Sequence, residues 1–353
     1  MFINNQLKYI IVNATALDKS GALSILKQFI DNIHDDGCNW LLFVSNKLSL
    51  TTQNNNIRIE PISDVKSMHK RLWWDTFGIN KWLKTNNIEP IACVSLQNTG
   101  FRVAKNDIPK FIYYHQSIPF YPYKWNIFKR EHRPLWFYIY IYPFFVKLFL
   151  TKDTTVFVQL DFIRNGFARR YKHPLNKIEV YSPSILTPSF KESINISLDG
   201  SKLNLFYPAT DFFYKNHQII IDAINECDDV KVFFTIPHKN LGDKISCIGS
   251  LPYDEVCQMY KSCDALLFPS YIETFGLPLI EAALTGLPIL AADLPYAREV
   301  LDGYEGVRFV KYNSKDAWAE AISELKKGKR YKPIDLSNRQ GWQDLMKSIK
   351  SKL

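Results

Sequence analysis

Glycine and proline are scarce in this chain, 14 and 18 of 353 residues, which excludes a collagen-like or low-complexity protein. No period of 20–50 residues recurs, which argues against a stacked-repeat architecture. Cysteine is sparse as well. Cys38, Cys93, Cys227, Cys247, Cys257 and Cys263 lie among apolar residues without a C-x-x-C pair, the pattern of buried thiols rather than of a zinc ribbon or a disulfide framework. Asp-x-Asp is absent, so no carboxylate pair marks a metal–diphosphate site, and no metal or other cofactor is expected. The opening MFINNQLKYIIVNAT lacks a basic stretch followed by an apolar one, so a signal peptide is not expected. The expected location is a reducing cytoplasm, where the sequons at Asn13 and Asn195 carry no glycosylation meaning.

With 46% hydrophobic and 14% aromatic residues the chain is too apolar for disorder, and its length suits two domains with separate cores. Short apolar runs alternate with amphipathic stretches, the pattern of βα units on a parallel sheet. Strands are expected at 8–13, 40–45, 92–96, 111–115, 155–159 and 178–181, with helices near 22–35, 69–86, 133–150 and 161–171. A Ser- and Pro-containing linker at 186–200 follows. The pattern restarts with strands at 203–207, 231–235, 245–248, 265–268, 289–292 and 306–310, and helices at 217–226, 254–262, 278–284 and 315–327. The expected organisation is one Rossmann-like domain over 1–185, a second over 201–335, a cleft between them, and a final helix within 336–353 packing back on the first.

The segment richest in chemistry is Tyr271–Glu281, YIETFGLPLIE, directly after the strand ALLFPS. Gly276 and Pro278 place Glu273 in a loop and start a helix that carries Glu281 about one turn in. The loop then offers backbone N–H groups at a helix N-terminus, where an anion is stabilised. Two carboxylates flanking that point can grip hydroxyls on either side of a phosphate, as on a sugar and a ribose.

This Glu-x7-Glu pattern resembles the donor signature of family 4 glycosyltransferases of the GT-B fold. The resemblance extends through Asp264-Ala265, Pro269-Ser270, Gly286-Leu287-Pro288 and Tyr296–Val300, upstream through FYPATDFFYKNH at 206–217, and weakly to HQSIPFY at 115–121. It implies a retaining transfer of a hexose-type sugar from a nucleotide sugar, UDP-linked first and GDP-mannose second, without a metal. Carried over, Glu273 contacts the transferred sugar. Thr274, Phe275, Gly276 and Leu277 hold its hydroxyls and the phosphate. Glu281 binds the ribose, Lys215 the diphosphate, and Leu251 frames the base. In the first domain Gly21 marks the turn after the first strand, where relatives often carry two glycines. His115 matches the family's histidine near the reaction centre, with a structural histidine as the alternative. Gln97 and Asn98 are candidate contacts to acceptor hydroxyls, with a simple turn as the alternative. One departure is plain: many relatives have Gly-Arg where this chain has Tyr207-Pro208, which leaves the phosphate to Lys215, the helix or another base. A non-catalytic relative that binds a partner or membrane, and a nucleotide-sugar epimerase, stay open.

The chain has 44 basic and 35 acidic residues, and the whole excess lies at 101–175, with 13 basic against four acidic residues; the remainder has 31 of each. Within it the run LWFYIYIYPFFV at 135–146 is bordered by Lys129, Arg130, Arg133, Lys147 and Lys152. Twelve residues are too few to cross a bilayer. Aromatics flanked by cations suit peripheral contact of residues 124–152 with an anionic membrane, on the inner face of the cytoplasmic membrane; a buried helix kinked at Pro143 is the other reading. No nucleic-acid motif accompanies the charge. A lipid-linked glycan acceptor of the kind used for O-antigen or capsule assembly fits both the charge and the expected cytoplasmic location.

Overall fold

The computed structural model describes residues 7–34, 37–63, 65, 67–105, 107–186, 188, 190 and 196–353, without the side chains of Leu7 and Ser20. Part of the expected linker (187, 189 and 191–195), including the Asn195 sequon, lies outside the described residues. Two compact units result, Met1–Ser184 with Arg339–Leu353, and Ile185–Asn338.

The first unit runs β1 (Leu7–Ala14), α1 (Ser20–Asp31), β2 (Trp40–Ser45), β3 (Ile57–Ile62), α2 (Met68–Trp73), a π-helical turn at Trp74–Gly78, α3 (Ile79–Thr85), β4 (Ile88–Ser95) and β5 (Lys110–Tyr113). It continues with α4 (Arg133–Tyr140), α5 (Tyr142–Phe149), β6 (Thr155–Val158), α6 (Asp161–Tyr171) and β7 (Ile178–Val180). Its seven strands are parallel in the order β3-β2-β1-β4-β5-β6-β7. Every residue of β2 and β6 is buried, as strands covered on both faces require.

The second unit has β8 (Leu203–Tyr207), α7 (His217–Ile224), β9 (Val230–Phe234), β10 (Ile245–Cys247), α8 (Tyr253–Ser262), β11 (Ala265–Phe268) and α9 (Leu277–Leu284). It ends with β12 (Ile289–Ala292), α10 (Pro295–Val300), β13 (Val307–Val310) and α11 (Lys315–Ser323). Its six parallel strands run β10-β9-β8-β11-β12-β13. The final helix α12 (Trp342–Lys350) belongs to the first unit: Trp342 stacks on Tyr113 at 4.9 Å, meets Phe29 edge-on at 6.0 Å, and donates from Nε1 to Gln28 Oε1 at 2.7 Å.

Both sheets reverse their strand order once, between β1 and β4 and between β8 and β11. At such a switch point the loops after the two strands diverge and leave a crevice at the carboxyl ends, where ligands of open α/β sheets bind. In the first unit those loops carry residues 15–19 and 96–100; in the second they carry residues 208–216 and 269–276.

Four elements differ from the expectation. Strand β3 is an edge strand whose IRIEPI has a charged and proline-containing middle, which hides its period. The helix expected at 69–86 is interrupted by the π-helical turn, and the one expected at 133–150 breaks at Ile141, two residues before Pro143. The short helix α10 begins at Pro295 in a segment read only as a motif.

Candidate active site

In the second unit the two switch-point loops are tied to each other. Tyr207, fully buried at the end of β8, lies edge-on to Phe268 of β11 at 5.7 Å and donates its hydroxyl to the Lys215 carbonyl at 2.7 Å. This pins the 3-10 turn Phe213–Lys215 against the sheet. Asn216 follows with φ +60°, a left-handed conformation that asparagine tolerates, and its Nδ2 donates to Pro269 O at 3.3 Å and Tyr312 O at 2.8 Å. Tyr271 N donates to Tyr214 O at 3.0 Å, and Tyr296 Oη to Ser270 O at 2.6 Å. The result is that Lys215 Nζ meets Glu273 Oε1 at 2.5 Å, with both side chains more than four-fifths buried.

The Glu273 loop turns into α9 through Gly276, whose φ of +87° needs glycine; a Cβ there would stand 3.3 Å from Leu279 Cδ1. Pro278 lies in the first turn, where its missing N–H costs nothing. Pro278 has no N–H and Leu279 N donates to Gly276 O at 2.9 Å, so what this turn adds next to Glu273 in sequence is the Leu277 amide and the positive end of the helix dipole. Glu281 lies about one turn along α9 and accepts from Tyr260 Oη of α8 at 3.0 Å. Burial raises its carboxyl above the ordinary range, against the lowering effect of that hydrogen bond. Leu251 lines a separate depression of about 560 Å³ together with Pro208, Asp211, Thr235 and Ser250, at the carboxyl ends of β8 and β9.

The substitution of Tyr207 to Phe removes the hydroxyl that fixes the Lys215 carbonyl. We expect a stability loss of about 1–3 kcal/mol, read as a lowered Tm, and weaker nucleoside diphosphate binding as the Lys215 turn loosens. His217, the first residue of α7, is packed between the Tyr207 and Phe234 rings, and its Nε2 is buried with no hydrogen-bond partner among the described residues. Burial pulls its pKa from the ordinary 6.5 to about 4, with Asp211 opposing and Lys215 and Lys239 assisting. Between those values the unfolded chain takes up a proton that the folded chain refuses, so His217 costs stability as the pH falls from 6.5 towards 4. His217→Phe should therefore lose less stability than the wild type over that range, by about 3 kcal/mol at pH 4, in chemical denaturation series.

In the first unit, Asn98 adopts φ +67°, and its Oδ1 accepts from His115 N at 2.6 Å. His115 Nε2 lies 3.1 Å from Leu96 O and 3.4 Å from Asn98 Nδ2. Burial lowers the His115 pKa to about 4, so the ring is neutral at pH 7. Gln97 is almost fully buried, its side chain committed to Thr15, Ala16 N and Asp75, so it holds the loop after β1 in place. Gly21 is the second residue of α1; a Cβ there would meet nothing within 4 Å, so the protein itself does not demand glycine at that position. Thus Lys215 and Glu273 are brought into contact, as are Asn98 and His115, while Gln97 faces inward. Sequence reasoning missed Tyr260, Asn216 and Asp75. Asn216 had a signal, a lone Asn between a loop lysine and a helix start; the other two are recognisable only from their tertiary partners.

Residues 197–340 match the family model for glycosyl transferases group 1. The chain is 24% identical over 198 residues to the O-antigen chain mannosyltransferase RfbU of Salmonella typhimurium, an alignment covering 52% of this chain and 54% of that protein. It thus spans about half the length of that curated relative. Among solved structures it resembles WaaG, a glycosyltransferase involved in lipopolysaccharide biosynthesis (TM-score 0.60, 14% identity, 89% of this chain and 90% of that one). It also resembles the sucrose-phosphate synthase of Thermosynechococcus elongatus (TM-score 0.64, 14% identity, 90% and 88%). At these identities the structural likeness establishes the fold, two parallel α/β sheets of the GT-B type. Residues 197–340, which hold Lys215, Glu273, Gly276 and Glu281, thus match the glycosyl transferases group 1 family.

Proposed function

We propose that this protein is a retaining, metal-independent glycosyltransferase that moves a hexose-type sugar from a nucleotide sugar to a glycan acceptor. The observation that carries the reading is the Lys215–Glu273 pair at the start of α9, inside the matched region. UDP-sugars are the favoured donors and GDP-mannose the second choice. In this reading Glu281 grips the ribose, Leu251 frames the base, and Lys215 with the amides of Phe275, Gly276 and Leu277 receives the diphosphate. Glu273 and Thr274 contact the sugar. Gly21 lets the diphosphate approach the first unit, His115 lies near the reacting carbon, and Asn98 and Gln97 shape the acceptor side.

The acceptor hydroxyl oxygen bonds to the anomeric carbon on the face from which the diphosphate departs. The carbon–oxygen bond to the phosphate breaks, and the hydroxyl proton passes to the departing phosphate oxygen. Lys215 and the helix start stabilise the charge that grows on the leaving group, a role that a preorganised cation and amides can fill. Incubation with UDP-hexoses and GDP-mannose and a glycan acceptor tests this. Release of nucleoside diphosphate with a product of retained anomeric configuration supports the reading. Interconversion of the sugar with no diphosphate release would instead identify an epimerase.

The names of RfbU and WaaG favour a surface-polysaccharide acceptor, and the first unit favours one that is lipid-linked. On α4–α5 one face is core, with Leu135, Ile139, Tyr142, Val146 and Phe149 buried. The other exposes Tyr140, Leu148 and Phe144, the last 70% exposed, and Phe128 nearby in sequence is 87% exposed, among Lys129, Arg130, Arg133 and Lys147. Among the described residues no helix is long and apolar enough to cross a membrane. The reading is peripheral contact with an anionic membrane, in the cytoplasm. Phe128→Ala with Phe144→Ala should reduce sedimentation with phosphatidylglycerol vesicles by roughly tenfold or more, since each ring stands to lose 1.5–3 kcal/mol of burial. Unchanged sedimentation would remove the aromatic contribution.

A further inference from the structure

The first unit also contains a recess formed where α2 and the π-helical turn meet α4 and α5, bordered at Thr99 by the loop that carries Asn98. Its volume is about 200 Å³, and its walls are apolar, with Met68 and Leu72 on one side and Phe137, Tyr138, Phe145 and Phe149 on the other. Its polar edge is Arg71, Asp75, Thr99 and Tyr142, and these groups are already engaged. Arg71 Nη2 donates to Gln97 O at 3.0 Å and to Thr99 Oγ1 at 3.3 Å, with Nε 3.7 Å from Asp75 Oδ2. Asp75 accepts from Asn13 Nδ2 at 2.7 Å, and Tyr142 Oη donates to Gln97 O at 3.1 Å.

A sugar needs a wall of donors and acceptors that can turn towards it. Here the polar edge is spent on the protein, so what the recess offers an occupant is aromatic and aliphatic surface. An apolar cavity of about 150 Å³ takes up a benzene ring, so this one has room for a short hydrocarbon segment. The helices that form it also expose Met68, Trp73, Phe144 and Leu148, which lie around 50% exposed or more, and this extends the apolar surface outward. The wall formed by Phe137–Phe149 belongs to the 101–175 segment, whose excess charge is positive, and that charge suits an anionic head on the hydrocarbon.

We propose that this recess binds the hydrocarbon chain of an anionic lipid, namely the lipid carrier on which the acceptor glycan is built. The inference rests on the reading of the acceptor as lipid-linked. Donor binding takes place on the other unit, so the two can fail separately.

Farnesyl phosphate, isopentenyl phosphate and inorganic phosphate are titrated into the full chain by calorimetry, and UDP and GDP are tested on the same preparation by thermal shift. The expected result is at least tenfold tighter binding of farnesyl phosphate than of the other two. Leu72→Trp, which fills the recess, should lose at least tenfold of that affinity, and Phe145→Ala, which widens it, should not. Both variants should keep the wild-type nucleotide shift, which shows that they are folded. Farnesyl phosphate binding no tighter than that of phosphate, with the nucleotide shift intact, would overturn the proposal and leave the donor reading standing. Equal affinity in the wild type and Leu72→Trp would also overturn it. If phosphatidylglycerol vesicles displace farnesyl phosphate and Leu72→Trp weakens vesicle binding to the same degree, the occupant is a bilayer acyl chain and the assignment to the acceptor's carrier fails.

Discussion

Glu273→Gln is expected to lower transfer by about 10²–10³-fold while nucleoside diphosphate affinity stays within a few-fold of the wild type. The amide keeps the shape and loses the charge. In the structure the carboxylate has two tasks. It orients Lys215 through a 2.5 Å contact, and in the proposed reaction it meets the sugar as positive charge develops at the anomeric carbon. The second task exists only as the bond breaks, so its loss falls on kcat rather than on binding. Steady-state kinetics on the variant check this. A loss confined to KM would assign Glu273 to ground-state binding alone.

Lys215→Ala is expected to have the second large effect, about 10²-fold or more on kcat/KM, with a measurable loss of nucleoside diphosphate affinity. A charge-assisted contact to a phosphate is stronger than a neutral hydrogen bond, and it strengthens as the leaving group gains charge. Removing the lysine also leaves Glu273 without its cation in a largely buried position, an arrangement that costs stability. The variant should therefore melt at a lower temperature than the wild type. Because the two side chains touch, the double variant Lys215→Ala with Glu273→Gln should recover part of that stability, so the two losses do not add. Additive losses would mean that the pair is not coupled.

The sequence made the donor side readable because its signals are local. Gly276 and Pro278 are residues that only certain backbone positions accept, so they fixed where the loop ends and α9 begins, and with that where Glu273 and Glu281 stand. The buried strands β2, β8, β11 and β12 were readable because a strand covered on both faces is a continuous apolar run with no other use in a chain of this kind. Where the signal was tertiary it failed. Strand β3 is an edge strand with Glu60 and Pro61 inside it, and its pairing to β2 is what makes it a strand. The π-helical turn at Trp74–Gly78 has the same composition as the helices on either side, yet it is the feature that turns Asp75 inward. Gln97 follows a strand end and reads as a candidate contact to acceptor hydroxyls, with a simple turn as the alternative. That its side chain is buried against Thr15 and Asp75 is not legible locally, since these partners lie 82 and 22 residues away in sequence. The run at 135–146 was ambiguous between core and membrane for a physical reason: its two helices bury one face and expose the other, so its composition fits both.

The replacement of the usual Gly-Arg by Tyr207-Pro208 acquires a reason in the structure. Tyr207 is fully buried, and its hydroxyl holds the turn that presents Lys215. In the proposed reading, a side chain that positions Lys215 stands where the family resemblance would lead one to expect a second cation. This supports an active enzyme that relies on Lys215 and the start of α9, and it makes the Tyr207→Phe variant a test of that compensation.

The most direct test of the account is thermal stabilisation by UDP, GDP, ADP and their sugar conjugates, measured on the wild type and on Glu281→Ala. A ligand at 100 times its Kd adds about 2.7 kcal/mol to stability, which shifts Tm by a few degrees in a chain of this size. The expected result is a shift that is selective for one base and is lost or sharply reduced in Glu281→Ala. No shift with any nucleotide at millimolar concentration would contradict the donor site and leave a non-catalytic member of the family as the reading.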